Sequence, residues 1–236
     1  VSARDQAKAQ RAIASLRKPP KLLPLEQLAE EADVVVECVP AAHFLAAAEG
    51  PIRLGRIFMP LSVGALLNHM HLVDLARETG ARIVVPSGAI LGLDAVRAVA
   101  EGNVHSVRLI TRKPPAGLAG APLLVEKGIS VERLKEPLKV FSGSAREAAK
   151  GFPANLNVSV ALSLAGIGPD RTDVEVWADP TVTHNTHTII VRSDSSQLTM
   201  TIENIPSVEN PRTGVITPLS VIAALRRLTS PLVVGT

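Results

Sequence analysis

The run Asp179-Pro180-Thr181-Val182-Thr183-His184-Asn185-Thr186-His187 is the densest set of side chains able to do chemistry. It lies between two segments that read as strands. Loops on a rigid sheet are where binding and catalytic groups are usually placed. Histidine titrates near neutrality without help, so His187 is a candidate acid/base. A half-buried histidine packing at a strand start is the competing reading. His184 and His187 are three apart, a spacing that on a helix would suggest paired metal ligands. In a loop entering a strand the two side chains need not converge, and no nearby cysteine or further histidine completes a set. No metal is expected.

A second group is Ser87-Gly88-Ala89-Ile90-Leu91-Gly92-Leu93-Asp94-Ala95, directly after an apolar run. Small residues at the carboxyl end of a parallel strand let a ligand approach the backbone. An ordinary strand-to-helix turn has the same composition, so both readings stand. Asn155, Asn157 and Ser159 precede or open a small-residue helix. The N–H groups at such a start either meet an anion or are simply capped. Asn204 and Asn210 flank Ile205-Pro206-Ser207-Val208-Glu209 and read as turn residues. Arg112-Lys113-Pro114-Pro115 reads as two solvated cations on an exposed connection. A single cysteine, Cys38, excludes an internal disulfide and a cysteine metal cluster. Its place in Val34-Val35-Val36-Glu37-Cys38-Val39 suggests a buried structural thiol.

The elements that must position these residues fall into two styles. Asp5 is a reasonable N-cap for a helix over 6–16, stopped by Pro19 and Pro20. Helices are expected over 25–32, 41–49 and 69–79, the last two closed by Gly50 and Gly80. Short apolar runs at 34–39, 57–60 and 83–85 read as buried strands. This alternation predicts a doubly wound parallel sheet. From residue 104 the pattern changes. Residues 104–111 alternate like a half-exposed strand, and 113–128 form a Pro/Gly-rich connection. A helix is expected from Ser144, a small-residue helix over 155–164, and strands over 173–177, 186–192 and 197–203. Their Val, Ile and Thr alternate with polar residues, which suggests an antiparallel sheet with one wet face. An amphipathic helix over 219–228 closes the pattern. The fold class is therefore α/β, a Rossmann-type dinucleotide-binding domain (1–90) plus an α+β domain with a mostly antiparallel sheet (91–215). Residues 216–236 are expected to return to the first domain.

Composition narrows the function classes. Of 236 residues 46% are hydrophobic but 2% aromatic, with no tyrosine, so the core is built from aliphatic side chains. Net charge is +3 and the pI about 9.3. No basic run is interleaved with aromatics, so nucleic acid has no stacking platform and is not expected as a partner. No apolar run is long enough to cross a bilayer and no signal pattern opens the sequence, so no membrane association and a cytoplasmic location are expected.

Several of these runs together resemble the L-aspartate dehydrogenase family. They are Ser87-Gly88-Ala89-Ile90 with Leu93-Asp94-Ala95, the stretch 155–171 opening Asn155-Leu156-Asn157, and Val174-Glu175-Val176-Trp177-Ala178-Asp179-Pro180 followed by Asn185-Thr186-His187. The endings Glu203-Asn204-Ile205-Pro206, Glu209-Asn210-Pro211-Arg212-Thr213-Gly214 and 219–226 look the same. The resemblance covers essentially the whole chain. It implies oxidation of L-aspartate at its α-carbon by NAD or NADP to iminosuccinate, then hydrolysis to oxaloacetate and ammonia, with the imine feeding NAD biosynthesis. By position, His187 matches the family's active-site histidine, and Ala89 and Asn157 match positions that contact the dinucleotide. Asn185, Thr186 and His184 are the nearest suppliers for the substrate carboxylates. His184 stands where arginine is expected in relatives. A homodimer is expected, with the antiparallel sheet as its surface.

A dinucleotide fold also needs a first strand and a glycine-rich turn. Neither is present before Val1, and the physiological protein is expected to carry them. Arg4 would then follow the second strand, beside the adenine ribose, where arginine holds a 2′-phosphate and an acid such as Asp5 holds a free hydroxyl. Two other readings fit this front end less specifically: a truncated, non-catalytic dimeric module, or a dehydrogenase of another amino acid.

Overall fold

The computed structural model describes residues 1–153, 156–208 and 213–235. They form two compact units, Val1–Val85 and Pro86–Thr236. In the first, α1 (Gln6–Ala14) starts at Asp5, whose carboxylate accepts the Lys8 N–H at 2.9 Å as an N-cap should. α2 (Leu25–Glu31) leads into β1 (Val34–Glu37). A 3₁₀ turn and α3 (Phe44–Arg53) then cross to β2 (Ile57–Pro60), and α4 (Val63–Leu66) and α5 (His71–Thr79) lead to β3 (Arg82–Ile83). The strands are parallel in the order β1-β2-β3, the expected product of repeated strand–helix–strand crossovers.

Two helix ends separate local rule from packing. Gly80 takes a left-handed φ of +74° just past α5, as expected of a C-terminal glycine. Gly50 does not stop α3, which continues through Pro51 to Arg53. Phe44, Ala47, Ala48, Pro51 and Ile52 form one buried stripe, and burying that stripe outweighs the N–H lost at Pro51. At the end of β1 the buried Glu37 carboxylate accepts the Val39 N–H at 2.7 Å, and the Ser62 N–H and hydroxyl at 3.0 Å each. This ties the carboxyl ends of β1 and β2 together. Cys38, one step beyond, is exposed rather than buried, because the strand has ended and its side chain falls on the open side.

The second unit holds α6 (Leu93–Ala100), β4 (Val104–Lys113), α7 (Pro122–Glu126), β5 (Leu138–Ser144), α8 (Ala145–Gly151), α9 (Asn157–Ala165), β6 (Thr172–Ala178), β7 (Asn185–Ser193), β8 (Gln197–Asn204) and α10 (Ile216–Arg227). Ser144 caps α8 through a capping box with Glu147. The sheet order is β5-β6-β4-β7-β8. Three neighbouring pairs are antiparallel and one, β4–β6, is parallel, so the sheet is mostly antiparallel as read from the sequence. One face carries Val107 and Leu109 of β4, Val174 and Val176 of β6, and Ile189 and Val191 of β7 into a core shared with Val96, Leu118, Phe152 and Leu162. No residue of α10 is buried. Asn155 and residues 209–212, including Asn210, lie outside the described residues.

Candidate active site

The inward row of the five-stranded sheet is aliphatic over most of its length and turns polar at one end. On β4, Val107 and Leu109 are followed at the same period by Thr111 and Lys113, 0% and 5% exposed. Antiparallel register sets His187 of β7 directly across from Thr111. The next inward positions are Asn185 on β7 and, opposite it, Asn204 on β8. A hydroxyl, an ammonium, an imidazole and two carboxamides thus share one face.

His187 is 2% exposed. Its Nδ1 is hydrogen-bonded to Thr111 Oγ1 at 3.1 Å, which leaves Nε2 as the ring nitrogen for a ligand. Burial and, second, the charge of Lys113 push its pKa down to about 3. The imidazole is therefore neutral at neutral pH. Burial alone draws the Lys113 ammonium down to about 8.

The neighbouring Arg112 points the other way. It donates to Asp179 Oδ2 at 2.8 Å and lies over Trp177, 4.8 Å from the ring centroid. Burial would raise the Asp179 pKa. The hydroxyl and N–H of Thr181, at 2.6 and 2.9 Å, and the Arg112 guanidinium outweigh that effect and hold it below the usual carboxylate range. Arg112 and Lys113 are thus not a solvated pair. The strand runs two residues further than expected, and its pleat sends one cation to the outer face and the other inward.

The remaining candidates are spread more widely. His184 precedes β7, half-buried, with Nδ1 hydrogen-bonded to the Thr183 hydroxyl at 2.6 Å. Thr186 pairs with Arg112 on the outer face, so the alternation of the strand parts it from His187. Ala89 is half-buried in the turn before α6, and its carbonyl accepts from Asn204 Nδ2 at 3.0 Å. In the same turn the Gly88 N–H donates to Ser220 Oγ of α10 at 3.0 Å. Asn157 is the exposed first residue of α9. Ser159 is buried and donates to the Leu156 carbonyl at 2.8 Å, which makes it a helix residue rather than an anion ligand. Arg4 is exposed in the first unit, just before α1. Among the described residues no three His, Cys, Asp or Glu side chains converge as a metal site. A concavity of about 620 Å³ lies at the far end of β4, lined by Asn103, His105 and Arg171 among others, away from this polar row.

Thr111, Lys113 and Asn204 were not singled out as site residues by sequence. Extending the alternation of 104–111 by one more step would have turned Lys113 inward.

Comparison with known proteins gives this geometry its context. Residues 94–228 match the family model described as aspartate dehydrogenase, C-terminal. Over 236 residues the chain is 58% identical to the L-aspartate dehydrogenase of Bradyrhizobium diazoefficiens, covering 100% of this chain and 84% of that protein. The chain belongs to the L-aspartate dehydrogenase family. Another family member, L-aspartate dehydrogenase 3 of Bordetella bronchiseptica, is 55% identical, with 100% and 86% covered. One from Methanocella arvoryzae is 44% identical, with 99% and 87% covered. Residues 1–86 match the NAD-binding domain model of homoserine dehydrogenase. The aspartate dehydrogenase crystal structure from Thermotoga maritima shares the fold, with a TM-score of 0.75 at 24% identity over 98% of this chain and 96% of that one.

Proposed function

We propose that this chain oxidises L-aspartate at the α-carbon with NAD or NADP, giving iminosuccinate, which water converts to oxaloacetate and ammonia. The observation that carries the reading is a buried neutral imidazole at the polar end of the sheet in a chain matching named L-aspartate dehydrogenases over its whole length. When bound, NAD or NADP supplies the hydride acceptor. The turn before α6 suits its flat nicotinamide: a Cβ added to Gly88, φ +64°, would meet no atom within 4 Å, so bare backbone faces open space.

His187 is the proposed catalytic residue. The α-ammonium must lose a proton before its nitrogen lone pair can form the imine as hydride leaves. A neutral imidazole fixed through Nδ1 can receive that proton at Nε2. Ala89 and Asn157 are the proposed dinucleotide contacts, Asn157 orienting the nicotinamide carboxamide so that one ring face meets the substrate. Asn185 and His184 are the proposed amide and imidazole contacts to substrate carboxylates. Thr186, on the outer face, takes no part in this scheme.

Arg4 is proposed to hold the 2′-phosphate of NADP, with NAD also accepted because Asp5 adjoins it. Arg4→Ala is then expected to raise the KM for NADP about tenfold, the worth of one charge-assisted contact, and to leave that for NAD nearly unchanged. Equal NADP constants in both proteins reject the assignment. A cytoplasmic enzyme feeding NAD biosynthesis is the proposed setting. No described helix is long and apolar enough to cross a membrane. The outer sheet face, with half-exposed Ile110, Ile190 and Trp177, supports a homodimer. Sedimentation equilibrium giving the mass of one chain would reject it. The central test is aspartate-dependent reduction of NAD and of NADP by the full-length protein. Reduced nicotinamide is expected to accumulate with both, and its absence with folded protein overturns the reading.

A further inference from the structure

Lys113 is a cation withdrawn from water without a partner. It is 5% exposed, and among the described residues no carboxylate or other side chain receives its ammonium. Buried charges are ordinarily paired, and unpaired ones are candidates for function. The groups around it are few. From β7 comes His187, neutral and held so in part by Lys113 itself. From β6 comes Ala178, and Asp179 beyond it is turned to Arg112 and Thr181. Its own strand offers Thr111, engaged with His187, and β8 offers the uncharged Asn204. Arg112, Glu175 and Glu203 belong to the outer row. One largely buried ammonium in the same inward row as an imidazole and two carboxamides, with no anion supplied by these neighbours, is complementary to an anionic ligand that also offers hydrogen-bonding atoms.

We infer that Lys113 is the residue that binds a carboxylate of the substrate, forming a buried ion pair with one end of a dicarboxylic acid. The inference rests on the aspartate-oxidising reading of this site and gives it the cation that sequence had sought near residue 184. Two consequences follow from the charges alone. An anion beside Lys113 favours its protonated form, so binding above about pH 8 takes up a proton. The same anion offsets the positive charge that opposes protonation of His187, and the imidazole becomes a better proton acceptor only once substrate is seated.

The test is calorimetric binding of succinate, which carries both carboxylates and no amine, to the full-length protein with NADH present. Affinity is expected to be flat below about pH 8 and to fall about tenfold per pH unit above it, as the ammonium titrates. Lys113→Met is expected to weaken binding about a hundredfold at pH 7 and to remove the pH dependence. Wild-type binding that is absent at pH 7, or flat from pH 7 to 10, overturns the inference without any variant. So does unchanged succinate affinity in Lys113→Met. The variant's fold is checked by its melting temperature. An ammonium whose pKa falls from 10.5 unfolded to about 8 folded gives stability above the unfolded value and loses it as pH drops to about 8. At pH 7 Lys113→Met should therefore melt above wild type, the gain shrinking as pH rises from about 8 and vanishing above about 10.5. Lysine-dependent succinate binding without aspartate oxidation would reject the proposed reaction and leave the carboxylate site standing. Aspartate oxidation with lysine-independent binding would reject Lys113 alone.

Discussion

His187→Ala is expected to lower kcat for aspartate oxidation by about 10²–10⁴, the range for losing a positioned proton-transfer group. Among the described residues at the polar end of the inward row the other titratable group is Lys113, drawn down to about 8 and assigned to a substrate carboxylate, while the Thr111 hydroxyl does not titrate near neutrality and the amides of Asn185 and Asn204 do not titrate at all. The KM for aspartate should change far less, because the imidazole acts on the ammonium proton. Steady-state rates of nicotinamide reduction separate the two constants. A kcat within threefold of wild type would demote His187 to packing. The same variant carries a second signature. The folded imidazole has a pKa of about 3 against 6.5 when unfolded, so its contribution to stability is intact above pH 6.5 and is lost as pH falls toward 3. His187→Ala should accordingly lose less stability than wild type as pH falls from 6.5 toward 3.

Phe152→Ala is expected to destabilise the second unit by about 3–5 kcal/mol. Phe152 is fully buried and meets Phe141 edge-on at 5.8 Å and 74°. With four phenylalanines and one tryptophan in the whole chain, few large side chains are available to refill the hole. It closes α8, within a few residues of the start of α9, so a cavity there also disturbs the helix that carries Asn157. Urea unfolding should show a lower midpoint at an unchanged slope. A loss under 1 kcal/mol would mean that neighbouring aliphatic side chains collapse into the space.

The elements were legible where period and cap agree. Asp5, Ser144 and Gly80 mark helix ends by side-chain oxygen or left-handed backbone, and all three act as read. The strands β6, β7 and β8 follow from Val, Ile and Thr alternation. What eluded the sequence was long-range. The parallel β4–β6 pair depends on which strands meet, which no local pattern records. Gly50 was overruled by the buried stripe of α3. Cys38 follows an apolar run yet lies past the last paired residue of β1. At the candidate site, His187 could be put forward from sequence because histidine chemistry is visible in composition. Lys113 was missed because two adjacent basic residues before Pro-Pro read as solvent-facing, and only the neighbouring strands reveal that one of them is inside. Identity of 55–58% to L-aspartate dehydrogenases across the whole of this chain weighs against a different amino acid as substrate.

The alternation of β7 has a consequence for how this chain can change over generations. His187 and Asn185 look inward while Thr186 looks outward, and each is held by its partner on β4 or β8. One residue gained within β7 would exchange the two rows, sending the imidazole to the outer face and Thr186 inward. Two residues gained would restore the faces but shift His187 away from Thr111. Length variation should therefore be purged from 185–193 and tolerated in the turn at 194–196, where the ladder has already fixed which way each side chain looks.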